Sequence, residues 1–308
     1  MKAVIINQYG HVDELKYMDV AEPKIEGNDV LIEIKAAAVN PVDWEIREGY
    51  FQQKLTYEFP LILGWDAAGV IKEVGEHVTK FAVGDVVFTS PDLKRNGTYA
   101  EYVAVNENLV AKKPERLSFE EAASIPLVGL TAWQSLVDTA KIKKGDRVLI
   151  HAGAGGVGSF AIQLAKAFGC WVATTTSSKN IDFLKQLGAD QVINYEEDHF
   201  VDVLSPVDVV FDTLGGEIQK QSYEVLKEGG RLVSIANVPQ EQTAAKYGVK
   251  VFFVFMKQDG EKLEKIGELL DAGDIRPTIG KVMNLSEIQE AHRLSETGHM
   301  RGKIVLKV

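Results

Sequence analysis

The stretch Arg147-Val148-Leu149-Ile150-His151-Ala152-Gly153-Ala154-Gly155-Gly156-Val157-Gly158 passes from a short apolar run directly into glycines. The segment after it reads as a helix. Val157, Ala161, Leu164, Ala165 and Phe168 recur at helical spacing, and Gly169 stands where a C-terminal cap belongs. Strand, glycine turn and helix in that order are the context of a dinucleotide-binding fingerprint, and Gly153, Gly155 and Gly158 supply its G-x-G-x-x-G. The first glycine permits the tight turn, the second lets the backbone approach a pyrophosphate, and the third lets the helix pack close to the strand. The helix N-terminus adds free N–H groups and a positive dipole end. The backbone of Gly153, Ala154, Gly155, Gly156, Val157 and Gly158 is therefore expected to line a cofactor. The alternative, a structural turn with no ligand, suits these flanks less well.

Outward from this stretch, strand and helix signals alternate. Strands are expected at 171–175, 191–194, 208–212, 231–235 and 250–255, with helices at 181–187 and 217–227. With 147–151 they make six strands, the count of a doubly wound parallel α/β sheet. Upstream, Ser118 and Glu121 fit a capping box, opening helical segments that run to about Thr139 with a break near Pro126. Residues 1–120 instead carry short strand signals (4–6, 30–34, 69–71, 86–88 and 102–105) bounded by Gly, Pro, Asn or Asp, which predict a mostly antiparallel β domain. One short helix is expected after Pro41. From Asp259 the texture changes again. An amphipathic helix at 261–270 and a strand at 281–284 precede a helix at 286–295, opened by a second capping box of Ser286 with Gln289, and a last strand at 303–307. So small a tail cannot bury its own core, and is expected to pack back on the N-terminal domain. The expected division is a discontinuous β domain, 1–121 with 259–308, and a dinucleotide-binding domain, 122–258.

Bulk properties agree with a two-domain chain of 308 residues. No apolar run approaches the roughly 20 residues of a membrane span. The first residues, Met1 to Asn7, read as a strand rather than a signal peptide, and a cytoplasmic location is expected. Cys170 is the single cysteine, which excludes an internal disulfide and a cysteine-rich zinc site; a buried structural thiol is the reading. The net charge of −10 disfavours broad electrostatic capture of nucleic acid or anionic membrane.

Four stretches carry a family resemblance: Ala38-Val39-Asn40-Pro41-Val42-Asp43, Leu63-Gly64-Trp65-Asp66-Ala67-Ala68-Gly69-Val70, Ala154 to Gly158 with Gln163-Leu164-Ala165-Lys166, and Gly302-Lys303-Ile304-Val305. In these the chain resembles the medium-chain dehydrogenase/reductase superfamily, and within it the zinc-free quinone oxidoreductases and the enone and alkenal reductases. The resemblance implies a Rossmann domain joined to a GroES-like β domain, a nicotinamide cofactor, and hydride transfer to quinones or α,β-unsaturated carbonyls. It implies no metal. Where zinc alcohol dehydrogenases place a cysteine this chain has Asn40, where they place His-Glu it has Trp65-Asp66, and their third ligand falls near Leu127.

Without a Lewis acid to remove an alcohol proton, the chain suits reduction of an electron-poor acceptor, whose developing oxyanion needs one or two aimed donors. Asn40 is the first candidate, for the nicotinamide ribose or the substrate oxygen, against a turn-forming role. Tyr50 is the second, as a donor or a pocket wall. Asp66 is read as a structural acceptor, and no side chain declares itself the proton donor. At the end of the second parallel strand no acidic residue stands where one would bind a ribose 2′-hydroxyl. Ser177, Ser178 and Lys179 suit a 2′-phosphate instead, so NADPH is expected; serines that merely cap the next helix are the alternative. The resemblance adds Tyr195 at the same phosphate, Thr131 beside the nicotinamide, Phe253 and Val254 at its carboxamide through backbone groups, and Lys303 as a cofactor contact. His151 is read as a satisfied buried histidine. The aromatic run 249–255 would be sticky as a sheet edge, and the resemblance implies a homodimer paired across 250–255. Two rivals stand beside this reading: a zinc-type alcohol dehydrogenase, and a non-catalytic NADPH-binding sensor or RNA-binding relative, the latter opposed by the acidic charge.

Overall fold

Arg147–Ile150 lies at the centre of a six-stranded parallel sheet in the computed structural model, which describes residues 1–308. The strand order is Gln191–Asn194, Trp171–Thr176, Arg147–Ile150, Val207–Asp212, Leu226–Ser234, Lys250–Phe253. The order reverses beside Arg147–Ile150, the doubly wound pattern whose switch point is where such sheets bind dinucleotides. Val148, Leu149 and Ile150 are each fully buried, as a strand covered on both faces requires. This sheet belongs to a compact unit made of Val128–Lys257 and Gly273–Arg276.

The second unit, Met1–Leu127 with Gln258–Ala272 and Pro277–Val308, is built on the eleven-residue strand Asp29–Val39. That strand pairs antiparallel with Ala67–Val74, Tyr102–Asn106 and the final strand Lys303–Lys307. Ile304 lies opposite Val39 and Lys307 opposite Ala36, so the C-terminal tail completes the β unit. A smaller sheet joins Lys2–Ile6 to Lys16–Asp19 and Leu61–Ile62. Residues 122–127, 258 and 273–276 thus fall on the other side of the division from the one expected. No helix of the chain is long and apolar enough to cross a membrane.

Four local expectations need correction. The helix expected at 217–227 ends at Ser222, because Leu226 is drawn into the sheet opposite Val207 and tertiary pairing overrides helical propensity. The strand expected to reach Phe255 ends at Phe253, although the Val254 N–H still donates to Ser234 O at 2.9 Å. Short helices at Phe200–Val203 and Glu241–Tyr247 were not anticipated; left-handed Gly248 closes the second. The Ser118–Glu121 box forms, with Glu121 N–H on Ser118 Oγ at 3.1 Å and Ser118 N–H on Glu121 Oε2 at 2.9 Å. The Ser286–Gln289 box does not. Asn284 and Glu287 cap that turn instead, with Asn284 N–H on Glu287 Oε2 at 2.8 Å, while the Gln289 amide donates to Leu15 O at 3.1 Å.

Candidate active site

The glycine turn of the parallel unit distinguishes packing glycines from an open one. A Cβ on Gly158 would lie 2.3 Å from Ala152 O, and one on Gly153 would lie 2.0 Å from Thr174 Oγ1. A Cβ on Gly155 would meet only Ala152 O, at 3.5 Å. Its bareness therefore serves no internal contact, and leaves the face where a pyrophosphate approaches the backbone. Gly155 caps the twelve-residue helix Gly156–Ala167, whose first-turn N–H groups lack intrahelical partners. These residues fit a dinucleotide.

At the ends of Trp171–Thr176 and Gln191–Asn194, which pair Thr176 with Asn194, the structure brings Ser177, Ser178 and Tyr195 to neighbouring positions. Ser177 is the residue before the turn Ser178–Asn180, but its hydroxyl does not cap that turn; Oγ lies 3.4 Å from Asn180 Nδ2. The Ser178 N–H donates to Glu196 Oε2 at 3.0 Å, and hydrogen bonding from Ser178 holds the Glu196 carboxyl below its usual range. Glu196, which directly follows Tyr195, thus brings a carboxylate to this position. Tyr195 is exposed, Thr131 is buried in the helix Pro126–Trp133, and Phe253 is exposed at the end of the edge strand. His151 is satisfied, at 3.2 Å from Thr175 Oγ1 and 2.9 Å from Ser222 Oγ. Burial depresses it to about 4, so it is neutral.

In the β unit, Asn40 stands between Asp29–Val39 and the helix Pro41–Arg47, Asp66 stands just before Ala67–Val74, and Lys303 begins the last strand. Strand pairing brings the three together, and all are buried. Lys303 Nζ donates to Asn40 Oδ1 and, at 3.0 Å, to Asp66 Oδ2. Asn40 Nδ2 donates to Asp66 Oδ2 at 2.8 Å, and Leu127 N–H donates to Asp66 Oδ1 at 2.7 Å. Burial pushes the Asp66 carboxyl up, while the Lys303 ammonium and these N–H groups pull against it. Tyr50 is exposed, and its ring meets Trp44 edge-on at 6.1 Å.

A second buried network, unseen in the sequence, supports Asn40. The Asn40 backbone N–H donates to Asp43 Oδ2 at 2.8 Å, and Tyr99 Oη donates to the same oxygen. His292 Nδ1 lies 3.0 Å from Arg47 Nη1, and His292 Nε2 lies 3.3 Å from Tyr99 Oη. A guanidinium only donates, so Nδ1 accepts and Nε2 carries the hydrogen. Arg47, fully buried, continues to Glu296 at 2.8 Å and to Glu48. Burial raises Asp43 to about 7, and burial together with Arg47 lowers His292 to about 3.

These shifts fix a pH dependence. A histidine held neutral contributes stability that is full above its unfolded value of 6.5 and is lost as pH falls towards about 4 for His151 and about 3 for His292. Asp43, raised from 3.8, contributes stability present below that value and lost as pH rises through about 7. Between these limits unfolding takes up one proton on each histidine and releases one from Asp43, a net uptake of one. Asp43→Asn keeps an acceptor for Tyr99 and Asn40 but removes the release. Its urea-unfolding free energy should therefore climb more steeply between about pH 4.5 and 6, by roughly 1.4 kcal/mol per pH unit. Equal slopes in the variant and the wild type would contradict the assignment.

The donor set at Asn40 and Asp66 does not fit zinc. Asp66 is its one anionic ligand, both of its oxygens already accept hydrogen bonds, and a lysine ammonium sits on one of them. No three His, Cys, Asp or Glu side chains stand together as a metal-holding group. Cys170 lies in the other unit, and burial pushes its thiol up to about 11.

Comparison with known proteins places these features in a wider set. Residues 26–115 match the family model described as alcohol dehydrogenase GroES-like domain, and residues 187–306 match zinc-binding dehydrogenase. The second match begins beyond Asn40 and Asp66. The chain is 40% identical to a 2-methylene-furan-3-one reductase of Solanum lycopersicum, over 99% of this chain and 79% of that protein. It is 36% identical to an NADPH-dependent alkenal/one oxidoreductase, chloroplastic, of Arabidopsis thaliana, with the same 99% and 79% covered. The solved quinone oxidoreductase of Coxiella burnetii superposes with a TM-score of 0.94 and 41% identity, covering 100% of this chain and 99% of that one.

Proposed function

The chain belongs to the medium-chain dehydrogenase/reductase superfamily, in its branch of quinone and enone oxidoreductases, and we propose that it is a zinc-independent, NADPH-dependent reductase of quinones or α,β-unsaturated carbonyls. The observation that carries this reading is the buried Asn40–Asp66–Lys303 cluster, in which the side-chain oxygens that a metal would need are taken by a lysine ammonium and by N–H groups. Such a site lacks a Lewis acid for alcohol oxidation but offers N–H donors to an oxygen that gains charge. The bound cofactor supplies the hydride.

The residues of this chain divide the remaining work. The backbone from Gly153 to Gly158 holds the pyrophosphate, and Thr131 with the backbone of Phe253 and Val254 orients the nicotinamide. Asn40 and Tyr50 address the acceptor. Ser177, Ser178, Lys179 and Tyr195 take the 2′-phosphate. The Ser178 N–H now binds the Glu196 carboxylate, which must move aside before a phosphate oxygen can take its place. Ser177→Asp should accordingly raise the NADPH dissociation constant at least about tenfold by like-charge repulsion, against less than about threefold for NADH. Equal losses in a fluorescence titration would remove the 2′-phosphate from this position. The exposed edge strand Lys250–Phe253, with Phe252 and Phe253 on its surface, supports pairing of two copies. A monomer at micromolar concentration in light scattering would contradict it.

The test of function is NADPH oxidation over a panel of quinones, alkenals and cyclic enones, with product analysis. The expected products are hydroquinones or saturated carbonyls, one per NADPH consumed. NADPH binding with no oxidation by any acceptor would favour a non-catalytic binding protein.

A further inference from the structure

We propose that Lys303 is itself a catalytic residue: its ammonium, together with the Asn40 amide, holds the acceptor's oxygen as hydride transfer makes it negative. This rests on the reductase reading above. The case is a count of hydrogen bonds. A lysine ammonium carries three N–H bonds, and an asparagine amide carries two. Lys303 places one on Asn40 Oδ1 and one on Asp66 Oδ2; Asn40 places one on Asp66 Oδ2; the other Asp66 oxygen receives Leu127 N–H. Every side-chain oxygen of the cluster is therefore bonded, whereas one N–H of Lys303 and one of Asn40 are left over.

The charge is balanced as well, one ammonium against one carboxylate, so the cluster needs no further ion. Its remaining capacity is two donors, one of them cationic, on side chains that are 5% and 1% exposed. An unmatched donor in so dry a place is costly until it meets an acceptor. The acceptor that gains most from a fixed cationic N–H in a low dielectric is an oxygen that acquires negative charge. Asp66 serves as the positioning residue, because its carboxylate accepts from both donors at once and so fixes them.

With an enone, the hydride that a bound nicotinamide would supply, with its two electrons, forms a C–H bond at the β-carbon. The C=C pair moves to the adjoining bond, and the carbonyl pair moves onto oxygen. The resulting enolate oxygen lies against the Lys303 and Asn40 N–H groups. Water then protonates the α-carbon and leaves hydroxide to the buffer, and Lys303 keeps its proton throughout.

The experiment compares wild type, Lys303→Met, and the double variant Asp66→Asn with Lys303→Met, which leaves no orphan carboxylate and so guards against misfolding. NADPH affinity is read by nicotinamide fluorescence, and kcat/KM is read with an alkenal. Both variants should lose on the order of 10²- to 10³-fold in kcat/KM, the effect of removing an oxyanion donor, with the NADPH dissociation constant changed less than about threefold. Loss of NADPH affinity equal to the loss of rate would make Lys303 a cofactor contact and overturn the proposal. Recovery of the rate in the double variant would overturn it too, by reducing Lys303 to a charge balance for Asp66. A wild-type chain that oxidises NADPH with no acceptor overturns the underlying reading before any variant is compared.

Discussion

Gly158→Ala is expected to raise the NADPH dissociation constant on the order of a hundredfold and to lower stability by about 1–3 kcal/mol. The new Cβ would stand 2.3 Å from Ala152 O, 2.8 Å from Gly153 Cα and 3.0 Å from Ala152 C. All three are backbone atoms, so no side chain can swing aside. Either the helix Gly156–Ala167 moves off the turn or the turn opens, and both displace the first-turn N–H groups proposed to hold the pyrophosphate. Gly155→Ala provides the contrast. Its φ of −72° suits any residue, and its Cβ would touch only Ala152 O, at 3.5 Å. Stability should stay within about 0.5 kcal/mol of wild type, while NADPH affinity falls because the methyl group occupies the phosphate's approach. Thermal melts and fluorescence titrations of the two variants separate the roles. A Gly158→Ala protein that melts and binds like wild type, or a Gly155→Ala protein as destabilised as Gly158→Ala, would contradict the division.

Asp66→Ala should cost about 3–5 kcal/mol, because it leaves the Lys303 ammonium buried without a counter-charge. It also frees the Leu127 N–H and one N–H of Asn40 from their acceptor. In the double variant Asp66→Ala with Lys303→Met the stranded charge is gone, and at least half of the loss should return. Urea unfolding of the wild type, the single variants and the double variant measures the coupling directly. Costs that simply add would mean that the pair is not interacting as a buried ion pair.

The fold was legible where a short stretch imposes its own geometry. The glycines at 153, 155 and 158 state their demands within six residues, and the alternation of strand and helix after them leads to the doubly wound order. The Ser118–Glu121 cap is equally local. At the C-terminal cap two overlapping frames, Asn284–Glu287 and Ser286–Gln289, offer the same spacing; the first forms, and the Gln289 amide donates to the carbonyl of Leu15, distant in sequence.

The site shows the same limit. Asn40, Asp66 and Lys303 each attract notice in the sequence, but their meeting follows from the pairing of Ile304 with Val39 and Ala67 with Ala37, which no local pattern carries. No local pattern shows the spine Asp43–Tyr99–His292–Arg47, since its members come from three separate stretches, the helix Pro41–Arg47, Tyr99 and His292, and each has an ordinary local role. Glu196 is hidden for another reason: its carboxylate reaches the end of one strand from the end of the next.

The most direct test of the proposal that the Asn40–Asp66–Lys303 cluster works without zinc is the steady-state rate of NADPH oxidation with an enone after exhaustive chelation and dialysis. The account expects a rate unchanged by the chelator and unchanged by added zinc, with one saturated carbonyl formed per NADPH. A rate abolished by chelation and restored by stoichiometric zinc would contradict it.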